Sequence, residues 1–296
     1  MDDNTRIVPV SAVRASSPRG ERSIGAILID ARRLKPEDAE RILRLQREQG
    51  LRFGDAALRL RLLSQADIDF AIARQFDYHY LIRGKSDISE DLVAAYSPFT
   101  AQVEALRALR GQLILRWFDG DPTRKALAIV SAARNEGRSF IAANLAVVFS
   151  QLGEHTLLID ADMRHPHQQE LFALENRVGL SAVLSGRAGA DAIHRIPSLL
   201  DLSVLPAGPQ PPNPLELLAR PPFPQLLADL AKVYDVIILD SPPAANYADA
   251  QTITVRAGAA LIIVRKNATR MWQVRGVSNS ATQASATVVG TVLNDF

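Results

Sequence analysis

Residues 129–144 read Ile-Val-Ser-Ala-Ala-Arg-Asn-Glu-Gly-Arg-Ser-Phe-Ile-Ala-Ala-Asn. An apolar run suited to a buried strand passes here into a helical pattern. Such a strand-to-helix turn is where a phosphate-binding loop sits, because the first backbone N–H groups of the helix and its dipole both face an anion. In the usual pattern the turn closes with Gly-Lys-Ser/Thr, the Lys reaching the terminal phosphates and the hydroxyl reaching magnesium. The closing triplet here is Gly137, Arg138 and Ser139, and the distant first glycine is replaced by Ala132. Alone, the stretch also fits an ordinary strand-to-helix junction.

Two aspartate-bearing segments downstream decide between these readings. "HTLLIDADMRHP" is an apolar strand ending in Asp160, Ala161 and Asp162, and "YDVIILDSPP" is a second ending in Asp240. Either aspartate by itself also suits a helix N-cap. Carboxylates at the carboxyl ends of buried parallel strands face the crevice where open α/β sheets bind ligands. Magnesium prefers oxygen ligands and keeps several waters, so one or two carboxylates, a hydroxyl and the phosphates suffice to hold it. Ser139, Asp162 and Asp240 make that set, and the order of the three segments points to a magnesium-nucleotide site.

At this point the chain resembles the bacterial tyrosine kinases that act with polysaccharide chain-length determinants. The likeness runs from about Ser97 to Asn294 and includes "SAARNEGRS", "LLIDADMR", "VIILDSPP", "GLSAVLSG" at 179–186, "LPAGPQPPNPLELL" at 205–218 and "VVGTVLN". The resemblance implies a P-loop NTPase of the α/β class, a mostly parallel sheet flanked by helices, that transfers phosphate from MgATP to tyrosine. It implies that residues 134–140 (Arg134, Asn135, Glu136, Gly137, Arg138, Ser139 and Phe140) hold the phosphates. Asp160 or Asp162 would serve the acceptor hydroxyl, and Asn294 would lie near the base. It further implies self-association through a Glu-x-x-Arg-x-x-Arg helix, here Glu104, Arg107 and Arg110, and a membrane chain-length determinant as partner. Spacing of three places those side chains on one helix flank.

The departures set the alternatives. Arg is a planar fork and Lys a compact point charge, so Arg138 neutralises phosphate without placing it in the same way. A nucleotide-gated assembly module without kinase chemistry is therefore the competing reading, and a positioning ATPase of the MinD or ParA kind a third. The family often carries a tyrosine-rich tail. The tyrosines here are Tyr78, Tyr80, Tyr96, Tyr234 and Tyr247, and none forms such a tail.

The N-terminal part contains a repeat. "SIGAILIDARRLKPEDAERILRLQ" at 23–46 aligns with "RFGDAALRLRLLSQADIDFAIARQ" at 52–75, with Gly third in each and an apolar pair at 28 and 29 or 57 and 58. The copies resemble the tandem motif of the N-terminal domain of type II secretion and type IV pilus ATPases, some of which bind cyclic di-GMP. Arg22, Gly25, Arg52 and Gly54 are the candidate residues for that ligand. The later glycine of the motif is replaced by Arg32 and Arg61. Protein docking is the alternative role for this small helical domain.

The 296 residues contain no Cys, which removes disulfides, thiol catalysis and Cys-ligated metals. No apolar run approaches the roughly 18 residues of a membrane span. The net charge of +2 gives no argument for nucleic acid. The expectation is a cytoplasmic protein, peripheral to the inner membrane through a partner and not inserted in it. The expected organisation is a flexible tail at 1–21, a small mainly helical domain at 22–76, a linker at 77–96 and the α/β domain at 97–296. Strands are expected near 126–132, 156–160, 201–205, 235–239, 259–264 and 286–293, with helices at 138–152 and 247–256 and a surface loop at 206–224 around a short helix from Pro214.

Overall fold

The repeat folds as two matching helix pairs: α1 (Ile24–Asp30) with α2 (Pro36–Gln49), and α3 (Phe53–Arg59) with α4 (Gln65–Gln75). The computed structural model describes residues 23–75 and 80–296, and the chain divides into two compact units, residues 1–78 and 79–296. The expected tail, Arg22 and Tyr78 lie outside the described residues. Both short helices end in one kind of turn: Arg33 N–H donates to Leu28 O at 2.9 Å, and Leu62 N–H to Ala57 O at 3.1 Å. Arg32 and Arg61 stand at φ 56° and 54°, so the backbone keeps the left-handed shape that glycine adopts without cost. The copies interlock, α1 on α4 and α2 on α3. Leu28, Ile42, Ala56 and Ala57 are fully buried between them.

The second unit begins with α5 (Val93–Tyr96) and α6 (Ala101–Leu113), then alternates strands and helices. In order these are β1 (Ala126–Ser131), α7 (Arg138–Ser150), β2 (Thr156–Asp160), α8 (Gln168–Leu171), α9 (Leu180–Leu184), β3 (His194–Arg195) and β4 (Leu202–Leu205). They continue as α10 (Pro214–Ala219), α11 (Pro222–Leu230), β5 (Val236–Asp240), α12 (Asp249–Ala257), β6 (Ala259–Arg265), α13 (Met271–Gln283) and β7 (Thr287–Asn294). The described residues form one seven-stranded sheet ordered β3-β4-β2-β5-β1-β6-β7, parallel except for the β3–β4 edge. Every residue of β2 and β5 is buried, the signature of a parallel sheet covered on both faces. α7 lies on one face, with Leu145 and Phe149 fully buried, and α11 and α12 on the other, with Phe223 and Ile253. Register sets the chemistry: Asp240 is level with Asp160 on one side and with Ile129 on the other. The carboxylates and the start of the phosphate loop thus share one end of the sheet.

Residues 80–96 are not a linker. Leu92, Ala94 and Ala95 are fully buried in the core around α7. Asn144 fastens them there, its Oδ1 accepting from Ala94 N–H at 2.9 Å and its Nδ2 donating to Asp91 O at 3.0 Å. The run at 206–224 is less open than expected: residues 206–208 are buried, and it contains α10 and the start of α11. The two-residue β3 and the helix α13 were not foreseen. Among the described residues no helix is long and apolar enough to cross a membrane.

Candidate functional site

Between β1 and α7 the backbone turns sharply. Asn135 and Gly137 both stand in the left-handed region, at φ 58° and 89°, and such alternation gathers N–H groups into an anion-binding concavity. Gly137 caps α7, so the positive end of a 13-residue helix faces the same space. A Cβ on Gly137 would collide with the Asn294 amide. Gly137→Ala is therefore expected to cost about 1–2 kcal/mol from backbone strain alone and to weaken nucleotide binding, read by denaturant unfolding and nucleotide titration.

The loop is clamped from behind. Glu136, 2% exposed, accepts from Ala133 N–H at 2.8 Å and from the Thr269 hydroxyl. Asn294 Nδ2 donates to Glu136 O at 3.2 Å, and Arg265 Nη1 donates to Asn135 O at 3.3 Å. The Glu136 and Asn294 side chains thus hold the loop in shape. Phe140 packs against the core on the α7 side. Arg134 is exposed, with Nη2 2.7 Å from His165 Nε2.

Arg138 is 8% exposed and turned into the loop wall. Its Nε donates to Ser241 O at 2.8 Å and its Nη1 to Ala133 O at 2.7 Å and to the Ser131 hydroxyl. Among the described residues Nη2 has no hydrogen-bond partner. The guanidinium charge still lowers the pKa values of Asp162 and Asp240 against the effect of burial.

The three aspartates differ in what their oxygens do. Asp160 is wholly buried and saturated: Oδ1 accepts from Asp162 N–H at 3.1 Å, and Oδ2 from His167 and Gln168 N–H at 2.9 and 3.0 Å. Burial and the adjacent Asp240 charge push its carboxyl well above the ordinary carboxylate range. Asp162 uses only Oδ1, accepting from Arg164 and His165 N–H at 3.2 and 3.0 Å. Its pKa is also raised, chiefly by burial. Asp240 accepts on Oδ2 from Gln168 Nε2 at 2.8 Å, while its Oδ1 is buried with no hydrogen-bond partner. Burial raises this carboxyl too, with Arg138 and the neighbouring Ser139 hydroxyl opposing. A buried carboxylate oxygen without a partner beside a hydroxyl suits a hard cation that brings its own water and phosphate ligands. Among the described residues no three His, Cys, Asp or Glu side chains converge as a closed metal cage.

Gln168 escaped the sequence reading. It is fully buried and ties Asp240 to Ser139 O at 3.2 Å. Nothing in its neighbourhood "HPHQQE" marks it, because its role arises only when α8 folds over β5.

The other candidate residues lie elsewhere. Glu104 is exposed. Arg107 donates to Pro98 O at 2.8 Å and to the Tyr80 hydroxyl at 3.0 Å, and Arg110 donates to Val148 O. In the helical unit, Arg52 is the residue preceding α3. A Cβ on Gly25 would press on the Phe53 ring, and one on Gly54 would touch Ile68. Both glycines are used for packing within that unit.

Over 209 residues, 71% of this chain, the sequence is 33% identical to the tyrosine-protein kinase YwqD of Bacillus subtilis and spans 87% of that protein. The chain belongs to the bacterial tyrosine-protein kinases. The kinase domain of the Escherichia coli tyrosine kinase ETK matches its fold with a TM-score of 0.66 and 30% identity, over 72% of this chain and 82% of that one. MinD from Pyrococcus horikoshii is a more distant likeness, with a TM-score of 0.51 and 22% identity over 57% of this chain and 70% of its own, and shows the shared P-loop fold alone. No family model matches. The expected fold class, a mostly parallel sheet flanked by helices, is borne out.

Proposed function

We propose that this kinase binds MgATP and transfers the terminal phosphoryl group to tyrosine, acting from the cytoplasm with a membrane chain-length determinant in exopolysaccharide synthesis and export. The observation that carries the reading is the pair of carboxylate oxygens without hydrogen bonds, Asp240 Oδ1 and Asp162 Oδ2, at the end of the sheet where the phosphate loop begins. N–H groups of residues 134–140 would cradle the phosphates, and Arg138 would add charge from the loop wall. Ser139 and Asp240 would hold Mg²⁺, which when bound neutralises charge building on the phosphates. Asp162 Oδ2 takes the proton of the acceptor hydroxyl as the tyrosine oxygen bonds to phosphorus and the bond to the ADP oxygen breaks. Its raised pKa suits it to accept a proton. Asp160, with both oxygens already bonded, positions the loop that carries Asp162.

The anchoring of Arg138 supports a second reading, a nucleotide-gated assembly module with little transfer chemistry. Incubation with ATP labelled on the terminal phosphate, with and without the cytoplasmic segment of the partner, separates these. Label on tyrosine supports the kinase. Tight ATP binding with neither labelled protein nor free phosphate supports the assembly module, and free phosphate alone supports a positioning ATPase of the MinD or ParA kind. Self-association through Glu104, Arg107 and Arg110 is part of either of the first two readings. The helical unit at 23–75 is read as a docking module, since Gly25 and Gly54 serve its own packing. Cyclic di-GMP binding by calorimetry would overturn that.

A further inference from the structure

A cavity of about 510 Å³ opens between α12, α13 and the loop that follows β5. Two features single it out. The first is its place: Val130 and Ala132, which lead into the phosphate loop, form one wall, and Ala244 and Ala245, whose N–H groups donate to Ser131 O and Ala132 O at 2.9 Å, form the next. Tyr247, also in the wall, stacks on the Arg164 guanidinium at 4.1 Å, and Arg164 is fixed to the buried Asp249 by a 2.6 Å bond. Arg164 stands two residues beyond Asp162, so this contact joins the cavity wall to the loop that carries the carboxylate assigned to the acceptor hydroxyl.

The second feature is charge. None of the lining residues carries any, although phosphate-binding groups lie close by. A nucleotide or a second phosphate would leave its charge unmatched there, whereas an apolar or aromatic side chain matches the walls. Amide and hydroxyl groups of Gln251, Gln273, Thr254 and Ser280 suit the backbone of an extended peptide. Trp272, 66% exposed at the rim, offers a broad apolar face.

The tyrosines among the described residues are all otherwise engaged. Tyr80 is held by Arg107 and packs edge-on against Phe99. Tyr96 is buried, its hydroxyl donating to Ile88 O at 2.6 Å. Tyr234 packs on the core, at the end of β5 away from the site, and Tyr247 is part of the wall. Among the described residues, then, no tyrosine sits on an exposed extended segment. We propose that this cavity takes the uncharged residues flanking an acceptor tyrosine on an extended segment of another protein, and so selects the substrate. This deepens the kinase reading and rests on it for the identity of the occupant.

Gly276 provides the test. It lies in α13 on the cavity wall, and a Cβ built there meets nothing within 4 Å. Gly276→Leu therefore fills the cavity without disturbing the helix. The full-length protein, saturated with MgADP, is titrated with a dye-labelled synthetic peptide carrying one tyrosine among Ala, Leu and Gly. Binding is followed by anisotropy and by the emission of Trp272, the other tryptophan being the buried Trp117. The parent is expected to bind with a blue shift. Gly276→Leu is expected to weaken peptide binding about tenfold, the scale of one apolar side chain displaced from its pocket, with ADP affinity unchanged. Equal peptide affinity in both proteins, no binding by the parent, or equal binding of a peptide flanked by glutamates would each overturn the inference. Failure of the kinase reading looks different: peptide binding stays sensitive to Gly276→Leu, but no label reaches tyrosine.

Discussion

Asp162→Asn is expected to lower phosphotyrosine formation by about 10²–10⁴-fold, the usual contribution of a positioned base, while ATP still binds. The side chain would keep the Oδ1 bonds from Arg164 and His165 that shape its loop and lose only the oxygen that makes no hydrogen bond. Asp160→Asn should act differently. Both Asp160 oxygens accept backbone N–H groups, and an amide can present an acceptor to only one side. That variant is expected to lose stability and activity together, whereas Asp162→Asn loses activity alone. Label transfer measured alongside thermal unfolding separates the two. An Asp162→Asn protein that phosphorylates at the parental rate would remove Asp162 from the proton-accepting role.

Asp240→Asn is expected to abolish magnesium-dependent nucleotide binding and to make the ligand-free protein more stable at neutral pH. The sign follows from linkage. The folded carboxyl has a pKa above its ordinary value because of burial, with Arg138 and Ser139 only partly opposing, so the folded state binds more protons than the unfolded one. Stability then falls as pH rises from the ordinary carboxylate value through the raised one, and the full cost is present above it. Removing the charge removes that cost, and the amide can still accept from Gln168. In a domain of this size about 1 kcal/mol of relief raises Tm by about 2–4 °C. MgATP should stabilise the parent by mass action and leave Asp240→Asn unmoved, so melting curves with and without ligand, at pH 5 and pH 7.5, carry the whole prediction. A variant less stable than the parent at both pH values would mean that the unpaired Oδ1 carries no strain.

Much of this was legible because the signals are local. β1, β2, β5 and β6 are nearly continuous apolar runs bounded by polar turns, and their observed limits fall within two residues of those expected. The helix pairs at 23–75 announced themselves by repetition. The segment at 80–96 was misread because its polar stretches resemble a connector. Its burial comes from Leu92, Ala94 and Ala95 meeting α7 and from one asparagine some fifty residues away. β3 escaped because two residues carry no period.

The sequence by itself determined that an α/β unit follows a repeated helical one, that a phosphate loop precedes two aspartate strands, and which residue types could hold a magnesium-nucleotide. These are properties of short windows, where side-chain period and turn chemistry act within a few residues. Only the tertiary structure decided how those residues divide the work. It left Asp162 with an oxygen to offer and saturated Asp160, turned Glu136 and Asn294 into braces, and folded Arg138 against the carbonyls of Ala133 and Ser241. It also brought Gln168 to Asp240. Each outcome depends on which hydrogen bonds a buried group finds once distant strands lie in register, and no single window of the chain contains both partners.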